Sequence, residues 1–237
     1  MRRLEVLALE GLPQVGPGDV LAGLIADAAR ARGPELADGD VVVVTQKVVS
    51  KAEGRLVELE PDDADAHRRL VESQAVRVLR RRGELLVTET PQGFVCANAG
   101  VDVSNVPVGH AALLPVDADR SARRIRDGLR ARLGVEVGVV VSDTFGRPWR
   151  RGATDVAIGC AGIAAVVDLR GTSDALGRAL VVTEVAVADE LASAAELVMG
   201  KASGVPVAVV RGVERSWLRP SSATAEVIRP PAEDLFR

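Results

Sequence analysis

The sequence predicts an α+β fold of mixed α/β character, with parallel and antiparallel sheets flanked by helices. Three observations predict it. VVVVT at 41–45, VGVVVS at 137–142 and VPVAVV at 205–210 are short apolar runs of the kind that strands buried on both faces require. Stretches with apolar residues at helical spacing lie between such runs. The middle of the chain carries hairpin-like pairs instead of a helix after every strand, which argues against a regular doubly wound sheet.

Taken in order, LEVLAL (4–9) alternates at period two and predicts a strand. GLPQVGPGD follows as a loop, with Asp19 as the expected N-cap of a helix through Leu21, Leu24, Ile25 and Ala28 that Gly33 ends. VVVVT is the next strand. Residues 65 to 82 carry Leu70, Val71, Val78 and Leu79 at spacings that predict an amphipathic helix closed by Gly83. ELLVTET and GFVCAN read as two strands joined across Pro91-Gln92-Gly93, and Ser121 as the cap of a helix bearing Ala122, Ile125, Leu129 and Leu133. VGVVVS and DVAIGCAGIAAVVDL hold two further strands. An alanine-rich helix at 184–198 and the strand VPVAVV close the pattern. No internal repeat, low-complexity tract or long linker divides the chain. Residues 1–237 therefore read as one domain, with room for two subdomains whose boundary nothing marks.

Composition narrows the function classes. Of 237 residues, 47% are hydrophobic and 2% aromatic, with no Tyr, so the core must be built from Val, Leu, Ile and Ala. A charged fraction of 27% and a net charge of -3 give no global bias toward nucleic acid. Arg68, Arg69, Arg77, Arg80, Arg81 and Arg82, interleaved with Glu72 and Glu84, read as a solvated helical face, and a single-strand binder's aromatic platform is missing. No apolar run is long enough to span a membrane, and Glu5 and Glu10 interrupt what a signal peptide needs. Cys96 and Cys160 are too few for a disulfide framework and read as buried thiols of a cytoplasmic protein.

The usual phosphate signatures are absent. The nearest approach to a P-loop, AELVMGKAS, has Gly200-Lys201 but Ala195 and Ala202 at the other required places. No GxGxxG opens a helix, no GxSxG is present, and the two histidines, His67 and His110, are isolated.

Four polar clusters carry the chemistry instead, and each alone admits a plain structural role. TQKVVSKAEGR (45–55) places Gln46, Lys47 and Lys51 just past a strand, where ammonium groups reach phosphate or line an exposed basic turn. NAGVDVSN (98–105) sets Asp102 three residues before Asn105, as a metal and nucleotide pair or as an Asx turn. In VSDTFGRPWRRGATD, Asp143 and Thr144 end a buried strand, which is where open α/β sheets place ligands. Arg147, Arg150 and Arg151 then supply counter-charge to an anion, or belong to a solvated basic loop. MGKASGVP (199–206) has Gly200 and Gly204 for close backbone approach to a ligand, or Gly200 as a helix C-cap.

In this order, these clusters resemble the coenzyme F420-0:L-glutamate ligase family. The likeness runs through GLPQVGPGD, DGDVVVVTQKVVSKAEGR, NAGVDVSNV, VSDTFGRPWRRGATDVAIG, DLRGTSDALG, TEVAVADELASAAELVMGKASGVPVAVVRG and RPPAEDLF, essentially the whole chain. The likeness is to the actinobacterial form, whose ligase is often fused to a C-terminal flavin-reductase-like domain. The resemblance implies a mixed α/β intertwined homodimer. It also implies a GTP-dependent enzyme that activates the terminal carboxylate of F420-0 as an acyl phosphate and joins it to L-glutamate, with further γ-linked glutamates in later cycles. Two divalent ions, Mg²⁺ or Mn²⁺, are implied, with K⁺ as a further candidate.

Carried over by motif, Asp102, Asp143 and Thr144 resemble the metal ligands, and Asn105 a GTP contact. Leu12, Pro13, Gln14, Val15, Gln46, Lys47 and Lys51 resemble further nucleotide contacts, as do Met199, Gly200, Lys201, Ala202, Ser203, Gly204, Val205 and Pro206. Asp143, Arg147 and Arg150 stand as the catalytic set, the arginines toward phosphate or polyanionic substrate. The position of Lys201 resembles one associated with metal in some members, where a lysine could contribute only its backbone carbonyl. Ala153 departs from the usual Gln, and Leu169 and Leu176 stand where aromatics are common. A GTP-binding regulatory module on the same scaffold is the alternative. It would keep the nucleotide residues and turn over no F420-0.

Overall fold

A computed structural model of the chain describes residues 3–60, 63 and 65–234. Leu235, Phe236 and Arg237 of the proline-rich tail lie outside the described residues. In chain order the elements begin β1 (Glu5–Ala8), α1 (Leu21–Arg32), β2 (Val41–Thr45), α2 (Gln46–Ala52), β3 (Leu56–Glu58) and α3 (Ala66–Gln74). They continue β4 (Arg77–Arg82), β5 (Leu85–Glu89), β6 (Val95–Ala97), β7 (His110–Ala112), α4 (Ala118–Leu133), β8 (Gly138–Gly146) and β9 (Ala153–Ala161). The last are β10 (Val167–Asp168), β11 (Glu184–Val185), α5 (Val187–Met199), β12 (Val207–Arg211) and α6 (Ala223–Glu226).

The main sheet has the order β1-β12-β2-β8-β9 and is mixed, as the sequence predicts: β2 and β8 run parallel, and every other neighbour pair is antiparallel. Alternation along the valine runs explains why both faces are apolar. Val42, Val44, Val139, Val141 and Val207 pack under α1 and α4. Val41, Val43, Val140, Ala208 and Val210 face α5 through Val187, Leu191, Ala192 and Ala195. Gly159 allows the first of these layers to close, because a Cβ there would lie 2.3 Å from the carbonyl carbon of Ala118 in α4. A smaller cluster of Val71, Leu86, Ala99, Val101, Ala111 and Leu113 is built on α3, the β4-β5-β6 sheet and the β3-β7 pair.

Three local expectations are corrected. The helix foreseen over 65–82 ends at Gln74, and Arg77–Arg82 is a strand paired with β5. The helical spacing of Val78 and Leu79 was coincidental, and cross-strand pairing overrides it. Its arginines stay solvated, with Arg77 on Glu89 and Arg81 on Glu72, both at 2.8 Å. Asp19 does not cap α1: Val20 holds that position, and the Asp19 carboxylate accepts Gly16 N–H at 2.8 Å to close the preceding loop. Ser121 lies one turn inside α4, whose true N-cap is Asp117, accepting Arg120 N–H at 2.8 Å. Cys96 and Cys160 are free and buried, and burial pushes both thiols up to about 12. No helix among the described residues is long and apolar enough to cross a membrane.

The buried carboxylate of Asp119 fastens the chain's last helix to the core. It accepts N–H groups of Cys160 and Ala223, each at 2.8 Å, and hydroxyls of Ser222 at 2.7 Å and Thr224 at 2.5 Å. Burial alone would raise this carboxyl, but the hydrogen bonds, led by Thr224, hold it below its ordinary value of 3.8. A depressed carboxyl stabilises the fold fully above that ordinary value, and the contribution is lost as pH falls below it. Asp119→Ala should therefore lower the unfolding free energy by about 3 kcal/mol at pH 7. Urea titrations of both proteins should show this gap shrinking steadily below pH ~4.

Candidate active site

The parallel pair organises the site. At the carboxyl ends of β2 and β8 the apolar runs stop on Thr45 and on Ser142-Asp143-Thr144. The amino end of β12 arrives beside them, with Thr45 N–H donating to Pro206 O at 3.0 Å, and β9 brings Asp155 opposite Thr144. A cleft of about 920 Å³ opens there. It gathers residues from all four polar clusters together with Leu12, Pro13, Gln14 and Val15 of the first long loop. That loop is pinned to α2 by Gly18 N–H on Ala52 O at 2.8 Å, while Leu12 and Val15 pack on the core.

The run after β2 is a helix, so Lys47 and Lys51 fall one turn apart on α2. Lys47 Nζ bonds Asp102 Oδ2 and Ser104 Oγ, both at 2.7 Å, and Ser104 N–H closes an Asx turn on Asp102 Oδ1 at 2.7 Å. The Asx turn of NAGVDVSN is realised, and Asp102 lines the cleft. Burial would raise Asp102, yet the hydrogen bonds of Lys47 and Ser104 bring it below the usual carboxylate value. The Lys51 ammonium has no hydrogen bond or ion pair among the described residues, and burial followed by the charge of Lys47 lowers it. Gln46 is buried and donates to Ser50 Oγ at 2.6 Å and Leu113 O at 3.0 Å.

Alternation splits the end of β8 between two sides. Ser142 and Thr144 turn toward α5, where both donate to Asp155, at 3.1 and 2.7 Å. Phe145, two residues after Asp143, meets Phe94 edge-on at 6.1 Å. Burial pushes the Asp143 carboxyl up to about 7. Thr144 N–H and the Lys47 charge oppose that rise, and the charges of Asp102 and Asp155 add to it. Beyond Asp155, the Lys201 ammonium bonds Asp155 Oδ1 at 2.9 Å, Glu196 Oε1 at 2.8 Å and Thr144 Oγ1.

Among the described residues, no three His, Cys, Asp or Glu side chains form a ready metal centre. Asp102, Asp143 and Thr144 nevertheless line one cleft and offer oxygen donors only. That chemistry fits a hard divalent cation, since Mg²⁺ commonly takes one or two carboxylates and completes its shell with water and phosphate.

Not every expected residue lines the cleft. Asn105, Gly200, Lys201, Ala202, Gly204, Val205 and Pro206 do, and Asn105 Nδ2 donates to Lys201 O at 3.3 Å. Met199 is fully buried under the sheet, and Ser203 bonds back to Met199 O. Arg147 donates to Arg151 O at 2.5 Å and Gly152 O at 3.2 Å within the exposed β8–β9 turn, which also carries Arg150. Sequence reasoning missed Asp155 and Glu196 as members of the site. The signal for Asp155 was its place in GATD, opposite the end of β8, but only the strand register reveals it.

Ser142 is the donor to Asp155 Oδ2, and both residues are buried. Ser142→Ala should leave that oxygen bare and cost about 2 kcal/mol of stability, measured by urea unfolding.

Known proteins share this arrangement's sequence. Residues 11–212 match the family model described as F420-0:Gamma-glutamyl ligase. The coenzyme F420:L-glutamate ligase of Methanothermobacter thermautotrophicus is 43% identical over 249 residues, covering 99% of each chain. Its namesake in Methanopyrus kandleri is 45% identical over 258 residues and covers 100% of both. That of Methanocaldococcus jannaschii is 37% identical over 260 residues, covering 100% of this chain and 98% of its own. With a family model matching residues 11–212 and archaeal relatives matching along nearly its full length, the chain belongs to the F420-0:gamma-glutamyl ligase family.

Proposed function

We propose that this protein is a GTP-dependent ligase that joins L-glutamate to the terminal carboxylate of coenzyme F420-0, with further γ-linked additions open to it. The observation that carries the reading is one cleft in which ammonium groups, carboxylates and a glycine-bearing turn from four distant segments converge. The activity for which the relatives are named supports the choice of substrate.

A carboxylate is a poor electrophile because oxide would have to leave. In the proposed reaction an F420-0 carboxylate oxygen attacks the γ-phosphorus and GDP departs. The amine of glutamate then attacks the acyl carbon, phosphate departs with the acyl–oxygen bond electrons, and the amine proton passes to solvent. Such chemistry is mostly positioning and charge neutralisation. Lys51, with its donors uncommitted, is the group to meet phosphate, and Lys47 keeps one N–H beyond its two bonds. Leu12–Val15, Asn105 and the turn from Gly200 to Pro206 line the same cleft and would contact the nucleotide. Asp102, Asp143 and Thr144 would hold divalent Mg²⁺ or Mn²⁺, which when bound neutralises phosphate charge. K⁺ is a candidate further ion. Arg147 and Arg150, on the exposed β8–β9 turn, would meet the polyanionic substrate. The free, buried thiols suit a cytoplasmic setting. The subtype we propose is the actinobacterial one, on the resemblance of its motifs, beside archaeal relatives.

The assembly we propose is a homodimer. Residues 168–184 form a β-arm with its own hydrogen bonds, Leu169 N–H to Thr183 O at 2.9 Å and Leu180 N–H to Thr172 O at 2.8 Å. Leu176, Val181 and Val182 on it are 83%, 79% and 84% exposed, an apolar surface that a second copy would cover. Light scattering should give twice the chain mass. A monomer with full activity would remove the dimer from the reading.

Incubation with F420-0, glutamate, GTP and Mg²⁺ or Mn²⁺ should yield a glutamylated product by mass spectrometry. GTP binding without product would favour the regulatory module instead. Asp143→Asn should keep the fold by circular dichroism and lower turnover at least ~100-fold; near-normal rates would remove Asp143 from the metal set.

A further inference from the structure

The ammonium of Lys201 is coordinated as an ion would be. Its three N–H groups are its whole donor capacity, and three oxygens take them: Thr144 Oγ1, Asp155 Oδ1 at 2.9 Å and Glu196 Oε1 at 2.8 Å. The acceptors come from β8, β9 and α5, so the lysine sits where three elements meet at the edge of the cleft. Its side chain is 59% exposed, yet the Asp155 side chain it neutralises is 2% exposed. Two carboxylates this close would repel if nothing positive stood between them, and a buried, uncompensated charge is costly.

We infer that Lys201 is a tethered cation of the cleft: its ammonium fills a three-oxygen site that a free cation would otherwise occupy, and leaves phosphate binding to Lys47 and Lys51. The inference deepens the ligase reading by assigning part of the cleft's positive charge to the chain itself. Thr144 remains compatible with a metal role, because its oxygen donates to Asp155 and accepts from Lys201 and so keeps one lone pair. The same ammonium also anchors the turn from Gly200 to Pro206, whose Lys201 carbonyl is held by Asn105 at 3.3 Å.

The test uses the full chain without nucleotide or F420-0, so its outcome is independent of whether the protein proves to be a ligase. Lys201→Ala should lower the thermal midpoint by about 5 °C. Ammonium, methylammonium or K⁺ should restore it saturably, while tetramethylammonium at equal ionic strength should not. The parent protein should respond to ammonium, methylammonium and tetramethylammonium alike. Removing Glu196 as well, in Lys201→Ala with Glu196→Gln, should abolish the saturable recovery. If Lys201→Ala is too unstable to titrate, Lys201→Gln keeps a hydrogen-bonding side chain without the charge and should show the same selective recovery. A Lys201→Gln protein whose midpoint equals the parent's, or one stabilised no more by ammonium than by tetramethylammonium, would overturn the inference.

Discussion

The pairing of β2 with β8 is the constraint on which the rest of the molecule depends. Parallel strands end together, so the two longest valine runs deliver their polar successors to one edge of the sheet. Helices cover both faces, with α1 and α4 on one and α5 on the other, so the 920 Å³ cleft opens at that edge and not on a face. β12 and β9 run the other way and bring their first residues to the same place. The site is therefore assembled from strand ends, and its position follows from burial more than from any single motif.

Electrostatics at that edge follow a simple division. Two lysine–carboxylate groups, Lys47 with Asp102 and Lys201 with Asp155 and Glu196, flank Asp143. The flanking acids are neutralised by direct ion pairs, while Asp143 has no side-chain donor among the described residues and is driven by burial up to about 7. Pleating enforces the arrangement: neighbours on a strand point to opposite faces, so Asp143 cannot share the Asp155 network that Ser142 and Thr144 enter. Family membership is secured by identity along the whole chain, and this division of charge is what its cleft brings to the proposed chemistry.

Sequence alone determined much of this. The uninterrupted Val runs identified the central strands, because only a doubly covered strand tolerates apolar side chains on both faces. The four polar clusters contained most of the cleft, since each immediately follows or precedes a strand, and their order along the chain marked the family. Tertiary structure decided what local pattern could not. Arg77–Arg82 became a strand because β5 offered hydrogen-bond partners that outweigh a helical spacing. The cap of α4 fell to Asp117, whose carboxylate reaches a backbone N–H at the first turn. Asp155 and Glu196 joined the site only through register and helix packing, which place residues tens of positions apart around one lysine ammonium. Periodicity is a property of neighbours in sequence, whereas a coordinated charge is a property of neighbours in space.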